Sequence, residues 1–227
     1  MCARYTFTLD KEKIKKRFNV NNLPEDLNPR FNLAPTQKAP VIRADSERTV
    51  SMLRWGLIPF WAKDAKFGSK MFNARCETLA EKPSFKTQLK EKRCLVIADG
   101  FYEWAEVEGR KARVPIRFVL KDREPFAFAG LWDKWKDPKG GEIETFTIIT
   151  TDANDLIGPM HDRMPVILSR EEEKAWLDPA QKNPVELLPL LNPYPPEEME
   201  FYPVSTLINS PKNEGPECVV EEVRMRV

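Results

Sequence analysis

Apolar residues in this chain fall mostly into short runs with the alternation of strands, and less often into the spacing of helices. The segments "APVIRA" (39–44) and "RTVSMLRW" (48–55) flank the polar triplet "DSE" and read as a hairpin turning at Asp45–Glu47. "CLVIADGFYEWAEV" (94–107) reads as one long strand or as two joined at Gly100. "VPIRFVL", "PFAFAGLW" and "ETFTIITT" supply further strands, and "YPVSTLI" and "ECVVEEV" close the chain in the same way. Helical spacing appears in "LDKEKIKKRF" (9–18), where Ile14 and Phe18 lie four apart behind an Asp10 N-cap. It returns after "SREE", where Ser169 and Glu172 form a capping box ahead of "KAWL". "PVELLPLL" predicts a short helix. The 20 prolines are scattered and no repeat or composition break divides the chain. The expectation is an α+β fold in one domain, residues 1–227: mainly antiparallel strands, barrel-like or as two packed sheets, with a few peripheral helices.

Composition narrows the class. The 227 residues are 41% hydrophobic, enough for a sizeable core. Neither a run of about 18 apolar residues nor an N-terminal apolar leader occurs, which predicts a soluble protein of the cytoplasm, nucleoid-associated on damage to its DNA, or nuclear where the source has a nucleus. Four separated cysteines and one histidine make a structural metal site improbable, so neither metal nor other cofactor is expected. Net charge is only +1, but it is unevenly spread. Residues 1–120 hold 24 Lys/Arg against 14 Asp/Glu, a net of +10, and the remainder carries −9. A basic half suits a polyanion, although "KEKIKK" by itself reads as a solvated helix face.

Several stretches are richer in Arg, Asn, Glu, His and aromatic residues than a plain core needs: "RFNLAPTQ", "RWGLIPFW", "FNARCET", "DGFYEW" and "MHDRMPVIL". On a strand, Phe101 and Glu103 share one face while Tyr102 and Trp104 share the other. A carboxylate so flanked is either a half-buried ion-pair member or a general acid with raised pKa. His161, the lone histidine, stands with Asp162 and Arg163 in a loop that makes poor core. Asn73 near Arg75 pairs an amide with a cation, suited to a sugar hydroxyl and a phosphate, or is a turn asparagine. Cys2 follows the initiator methionine and is small enough to permit its removal. The mature chain would then begin with an amine and a thiol on neighbouring carbons.

In this order, "MCARY", "APTQ", "RWGLIPFW", "NARCET", "RCLVIADGFYEW", "FAGLW", "IIT", "HDRMPVIL" and "NSPKNEGPE" resemble the SRAP family, the SOS-response-associated peptidases or abasic-site processing proteins. The resemblance runs nearly end to end. Ala3 stands where the family usually has glycine, and Ile97 where proline is frequent. The resemblance implies a monomeric, cofactor-free protein that attaches covalently to abasic sites in single-stranded DNA in the DNA-damage response and removes its own Met1. It assigns Cys2 as nucleophile, Glu103 as the acid serving methionine removal and sugar ring opening, His161 as proton shuttle, and Asn73 as the residue orienting the sugar. Arg4, Asn32, Arg75 and Arg163 fall to DNA binding, with Pro35 and Trp61 to wedge or stack bases and Trp55 a weaker candidate. Two other readings stay open: a cysteine peptidase with an N-terminal nucleophile acting on other proteins, and a non-catalytic single-strand-binding module.

Overall fold

The computed structural model describes residues 2–44, 48–109, 112–138 and 140–222. In chain order its strands are β1 (Tyr5–Phe7), β2 (Arg30–Leu33), β3 (Lys38–Arg43), β4 (Val50–Trp55), β5 (Asn73–Arg75), β6 (Arg93–Ala98), β7 (Gly100–Ala105), β8 (Val114–Leu120), β9 (Phe126–Lys136), β10 (Glu142–Asp152), β11 (Arg163–Pro165), β12 (Ile167–Leu168) and β13 (Met199–Pro203). Helices α1 (Lys11–Phe18), α2 (Lys86–Glu91), α3 (Arg170–Leu177) and α4 (Pro184–Leu187) lie outside the sheets. The α+β, antiparallel-dominated architecture is as expected. No helix among the described residues is long and apolar enough to cross a membrane.

Five strands close into a barrel. β4, β3, β6, β9 and β10 pair antiparallel in that order, and β10 returns to β4 in parallel with Phe146 opposite Trp55. Closure removes the free sheet edges that would otherwise recruit another strand. β5 and β11 extend from β10, and β12 from β9. A second, antiparallel sheet runs β13-β8-β7-β1-β2.

An aromatic chain joins the two. Phe101 stacks on Phe118 at 5.2 Å and meets Phe128 edge-on at 6.0 Å, while Tyr5 contacts Phe128 at 5.7 Å and Trp55 at 5.1 Å. All five are fully buried, and each contributes on the order of 1.5–3 kcal/mol by leaving water.

The segment 94–107 is two strands, in different sheets, broken at Asp99. Asp99 accepts hydrogen bonds from Thr6 Oγ1 at 2.5 Å and Thr8 N at 3.0 Å, and its carboxylate pairs with Arg117 at 3.3 Å. A side chain at position 100 would place Cβ 2.7 Å from Arg117 Nε, so this corner needs glycine.

Local signals set the helices. Asp10 accepts from Lys13 N and caps α1, whose Ile14 and Phe18 are buried; Ser169 and Glu172 complete the capping box of α3. Arg93 is 1% exposed and satisfied: its guanidinium donates to Leu89 O, Lys90 O, Trp176 O and Asp178 O, holding the carbonyl ends of α2 and α3.

Two expectations need correction. "YPVSTLI" stops being a strand at Pro203: Val204 makes an isolated bridge, and Ser205 caps a 3-10 turn, Thr206–Asn209. "ECVVEEV" is a 3-10 turn, Pro216–Val219, followed by the bridge of Glu221 to Val204; its last residue lies outside the described residues. Beyond these backbone bonds, side chains from other elements hold this terminal segment. Asn32 Nδ2 donates to Ile208 O, Ser210 O and Asn213 O, and Tyr102 OH reaches Phe31 O and Cys218 O. β3 and β4 form the expected hairpin, but its turn at Asp45–Glu47 also lies outside the described residues.

Candidate functional site

The N-terminal strand, β1, is internal in its sheet, between β2 and β7. Tyr5 lies opposite Phe101, and Tyr102 N donates to Arg4 O at 3.0 Å. Continuing that register brings the first residues alongside Glu103. Cys2 is fully buried, with its thiol 3.9 Å from Arg4 O. Burial, then the negative charge of Glu103, pushes that thiol's pKa up.

The expected alternation along β7 holds. Phe101 joins the main core, whereas Tyr102 and Trp104 belong to the cluster beneath the C-terminal segment. Glu103 therefore faces inward and is only 5% exposed. Burial raises its carboxyl from the usual 4.5 to about 7, and the nearby Asp162 carboxylate adds to the effect. Glu103 thus interacts electrostatically with Cys2 on one side and with the 161–163 loop on the other.

That loop is braced. Asn154 Oδ1 accepts from Ile157 N, Ala153 N donates to Asp162 O at 3.0 Å, and His161 N donates to Ile157 O at 3.0 Å. The His161 side chain is 30% exposed. Its Nδ1 accepts from Arg163 N at 2.9 Å, which places the proton of the neutral ring on Nε2. Asp162 Oδ1 also lies 2.9 Å from Nδ1 and would accept from it in the Nδ1–H tautomer or the imidazolium, so the Arg163 N–H is what favours the Nε2–H form. Burial lowers the pKa of His161, so the ring is neutral near pH 7.

Asn73 opens β5, opposite Ile148 of β10. Its Nδ2 donates to Phe72 O at 3.1 Å, and its Oδ1 is buried without a hydrogen-bond partner among the described residues. Phe72 packs edge-on against Trp55, and Trp55 against Tyr5, which ties Asn73 to the N-terminal strand. A buried acceptor left open is costly in a finished core and suits a group that arrives with a ligand.

The residues expected at DNA are placed differently from one another. Arg75 is exposed and makes no ion pair among the described residues. Arg4 is half-buried, donates to Asn32 Oδ1 at 2.8 Å and lies over the Trp104 ring at 5.9 Å. Pro35 is half-buried beside Thr36, which adopts a left-handed φ of 76° and donates its N–H to Trp55 O. Trp61 is 46% exposed against Phe67, with Phe60 exposed beside it. By contrast, Asn32 is fully buried and spends its amide on the three carbonyls named above. Trp55 is fully buried and stacked on Phe146.

Arg163 is mostly buried. Its guanidinium donates to Glu77 Oε1 at 2.6 Å, Glu77 Oε2 at 3.0 Å, Asp152 Oδ1 at 2.5 Å and Thr150 O at 2.8 Å. Burial works against the cation, but Glu77 and Asp152 outweigh it and raise its pKa. Sequence reasoning missed both acids, although Glu77 sits inside the "NARCET" stretch. Among the described residues, no group of three or more His, Cys, Asp and Glu side chains is placed to hold a metal ion.

The chain is similar to several known proteins. A family model described as SOS response associated peptidase matches residues 1–211. The abasic site processing protein YoqW of Bacillus subtilis is 49% identical over 222 residues, covering 96% of this chain and 99% of that protein. The abasic site processing protein HMCES of Gallus gallus is 35% identical over 262 residues, covering 97% and 77%. A crystal structure of a protein from Bacteroides thetaiotaomicron superposes with a TM-score of 0.86 at 31% identity, covering 97% of this chain and 99% of that one.

Proposed function

The chain belongs to the SOS response associated peptidase family, and we propose that it processes abasic sites by linking itself covalently to single-stranded DNA through Cys2. The observation that carries this reading is the position of Cys2. It is the second residue of the sequence, buried three residues before β1, within electrostatic reach of an inward-facing carboxyl with a pKa near 7. The names of the relatives, abasic site processing proteins, support the same substrate.

Removal of Met1 frees the α-amine of Cys2. An α-amine, with a pKa of about 7.7–8.0, is far less protonated near neutrality than lysine. It attacks the aldehyde of the ring-opened deoxyribose, and the carbinolamine loses water to give an iminium. The Cys2 sulfur then adds to the same carbon and its proton leaves to a nearby base. One aldehyde, one amine and one thiol become a thiazolidine and one water. Glu103 suits both directions of proton traffic because neither of its forms is rare near pH 7. It gives a proton while the sugar opens and takes one when the thiol adds. His161, neutral with Nδ1 engaged by Arg163, offers its Nε2 edge for proton transfer at the aldehyde carbon. Asn73 has an open acceptor for a sugar hydroxyl, Arg4 and Arg75 serve phosphates, and Pro35 and Trp61 meet bases.

A peptidase acting on other chains would need Cys2 as a ready thiolate, and the buried thiol with its raised pKa disfavours that. One experiment separates this and the non-catalytic binding reading from the proposal. The processed protein is mixed with abasic single-stranded DNA and run on a denaturing gel without reductant. The expected result is a stable band, lost in Cys2→Ala, although a borohydride-trapped iminium can persist in that variant. An equally stable, reductant-independent band in Cys2→Ala would overturn the thiazolidine.

A further inference from the structure

A salt bridge outside the chemistry sets the histidine inside it. We propose that Glu77 is a positioning residue for His161, acting through Arg163; the inference rests on the role given above to His161. Arg163 is the joint at which the 153–162 loop enters β11, and its backbone N–H holds His161 Nδ1 at 2.9 Å. That N–H belongs to the 162–163 peptide unit, whose carbonyl accepts from Ala153 N at 3.0 Å, and the side chain of Arg163 adds a second anchor on the same residue.

The anchor is built around Glu77. Both guanidinium N–H₂ groups fork onto its two carboxylate oxygens at 2.6 and 3.0 Å, the bidentate geometry that fixes orientation as well as charge. The Glu77 side chain is 47% exposed and that of the other acid, Asp152, 82%, so solvent screens both pairs and the single contact of Asp152 more. Thr150 O takes one further hydrogen bond. Arg163 Nε already lacks a hydrogen-bond partner among the described residues, and the side chain is only 9% exposed. Without Glu77 a largely buried cation would depend on Asp152 and Thr150 O alone, and it must shift to recover solvent.

Glu77 is itself firmly placed. It lies in the 3-10 turn, Cys76–Thr78, directly after β5, whose Arg75 sits opposite Thr150 while Arg163 sits opposite Asp152 on the other side of β10. The fork therefore crosses β10 and ties the strand carrying Asn73 and Arg75 to the loop carrying His161. Two parts of the site, far apart in sequence and each paired to β10, gain a direct side-chain tie to each other.

The test uses the fact that His161 is the sole histidine, so an untagged protein gives a single imidazole in long-range ¹H–¹⁵N spectra. At neutral pH the wild type shows the Nε2–H tautomer. Glu77→Ala is expected to show a mixture of tautomers and to slow crosslink formation about 10-fold, short of the roughly 10²–10⁴-fold expected from losing the acid–base group itself. Noncovalent affinity for DNA carrying a tetrahydrofuran analogue, which cannot open to an aldehyde, stays unchanged. Glu77→Gln keeps one acceptor and falls between wild type and Glu77→Ala in both readouts, which maintains the test if the alanine variant does not fold. In a His161→Ala background Glu77→Ala adds no further loss, because the two act through one group.

Three results overturn the inference alone: a wild-type tautomer and rate in Glu77→Ala, multiplicative losses in the double variant, or tighter DNA binding by Glu77→Ala. The last would mean that Glu77 restrains Arg163 from a phosphate. A wild-type rate in His161→Ala removes the role of the histidine, and this inference with it, while leaving linkage through Cys2 standing.

Discussion

Replacing Glu103 by glutamine should make the protein more stable in alkaline buffer and inactive at the same time. The glutamine has nearly the shape of the protonated acid and carries no charge. A carboxyl whose pKa is higher in the folded chain than in the unfolded one binds its proton more tightly when folded. It therefore stabilises the fold fully below the unfolded value of 4.5, and that contribution is lost as pH rises through about 7. The gap between 4.5 and about 7, at about 1.4 kcal/mol per pH unit, comes to about 3–4 kcal/mol, of which about 3 kcal/mol falls between pH 4.5 and 8. A buried position, 5% exposed, has little solvent to screen it. Urea unfolding of both proteins, prepared with the same N-terminus, is followed between about pH 4.5 and 8. The unfolding free energy of Glu103→Gln minus that of wild type should rise by about 3 kcal/mol across this range. A difference that stays flat, or that falls with pH, would refute the claim that Glu103 is a buried acid ionising near neutrality.

Arg75→Ala should flatten the slope of log affinity against log salt by about 0.7 on single strands, one phosphate contact's worth, measured by fluorescence anisotropy; an unchanged slope removes Arg75 from the DNA path. Trp61→Ala should weaken noncovalent binding by about 1–3 kcal/mol, the worth of one stacked base, without lowering the melting temperature, since the ring is 46% exposed. Gly130→Ala should destabilise the barrel by about 1–3 kcal/mol in urea, because the added methyl would lie 2.9 Å from Cys94 Sγ and Val96 Cγ2 and 3.1 Å from Thr147 O.

The parts of this structure that the sequence disclosed are those governed by near neighbours. Asp10 and Ser169 cap their helices through hydrogen bonds spanning three residues, and such signals survive any tertiary context. That Phe101 and Glu103 share one face of β7 followed from strand alternation alone. Gly100 marked the break between two strands, but the reason, Arg117 packed against its α-carbon, is a long-range contact. A barrel and two packed sheets stayed open as alternatives, because β10 pairs with β4 and β9 through registers that no local pattern specifies. The C-terminal segment looked like strands because Val, Ile and Tyr recur in it; Asn32, some 180 residues earlier, supplies the competing hydrogen bonds. Arg163 shows the same limit at the site. Its type and its neighbourhood suggested phosphate, whereas its main partner, Glu77, stands 86 residues away.

The most direct measurement of the central claim is a peptide map of the DNA-linked protein after nuclease trimming and iodoacetamide treatment. If both atoms of the N-terminal residue hold the former aldehyde carbon, the sugar remnant maps to the peptide that begins at Cys2. That peptide lacks Met1, and its thiol resists alkylation while Cys76, Cys94 and Cys218 are alkylated after denaturation. A remnant on a lysine, or on a peptide whose Cys2 is alkylated, would contradict the thiazolidine.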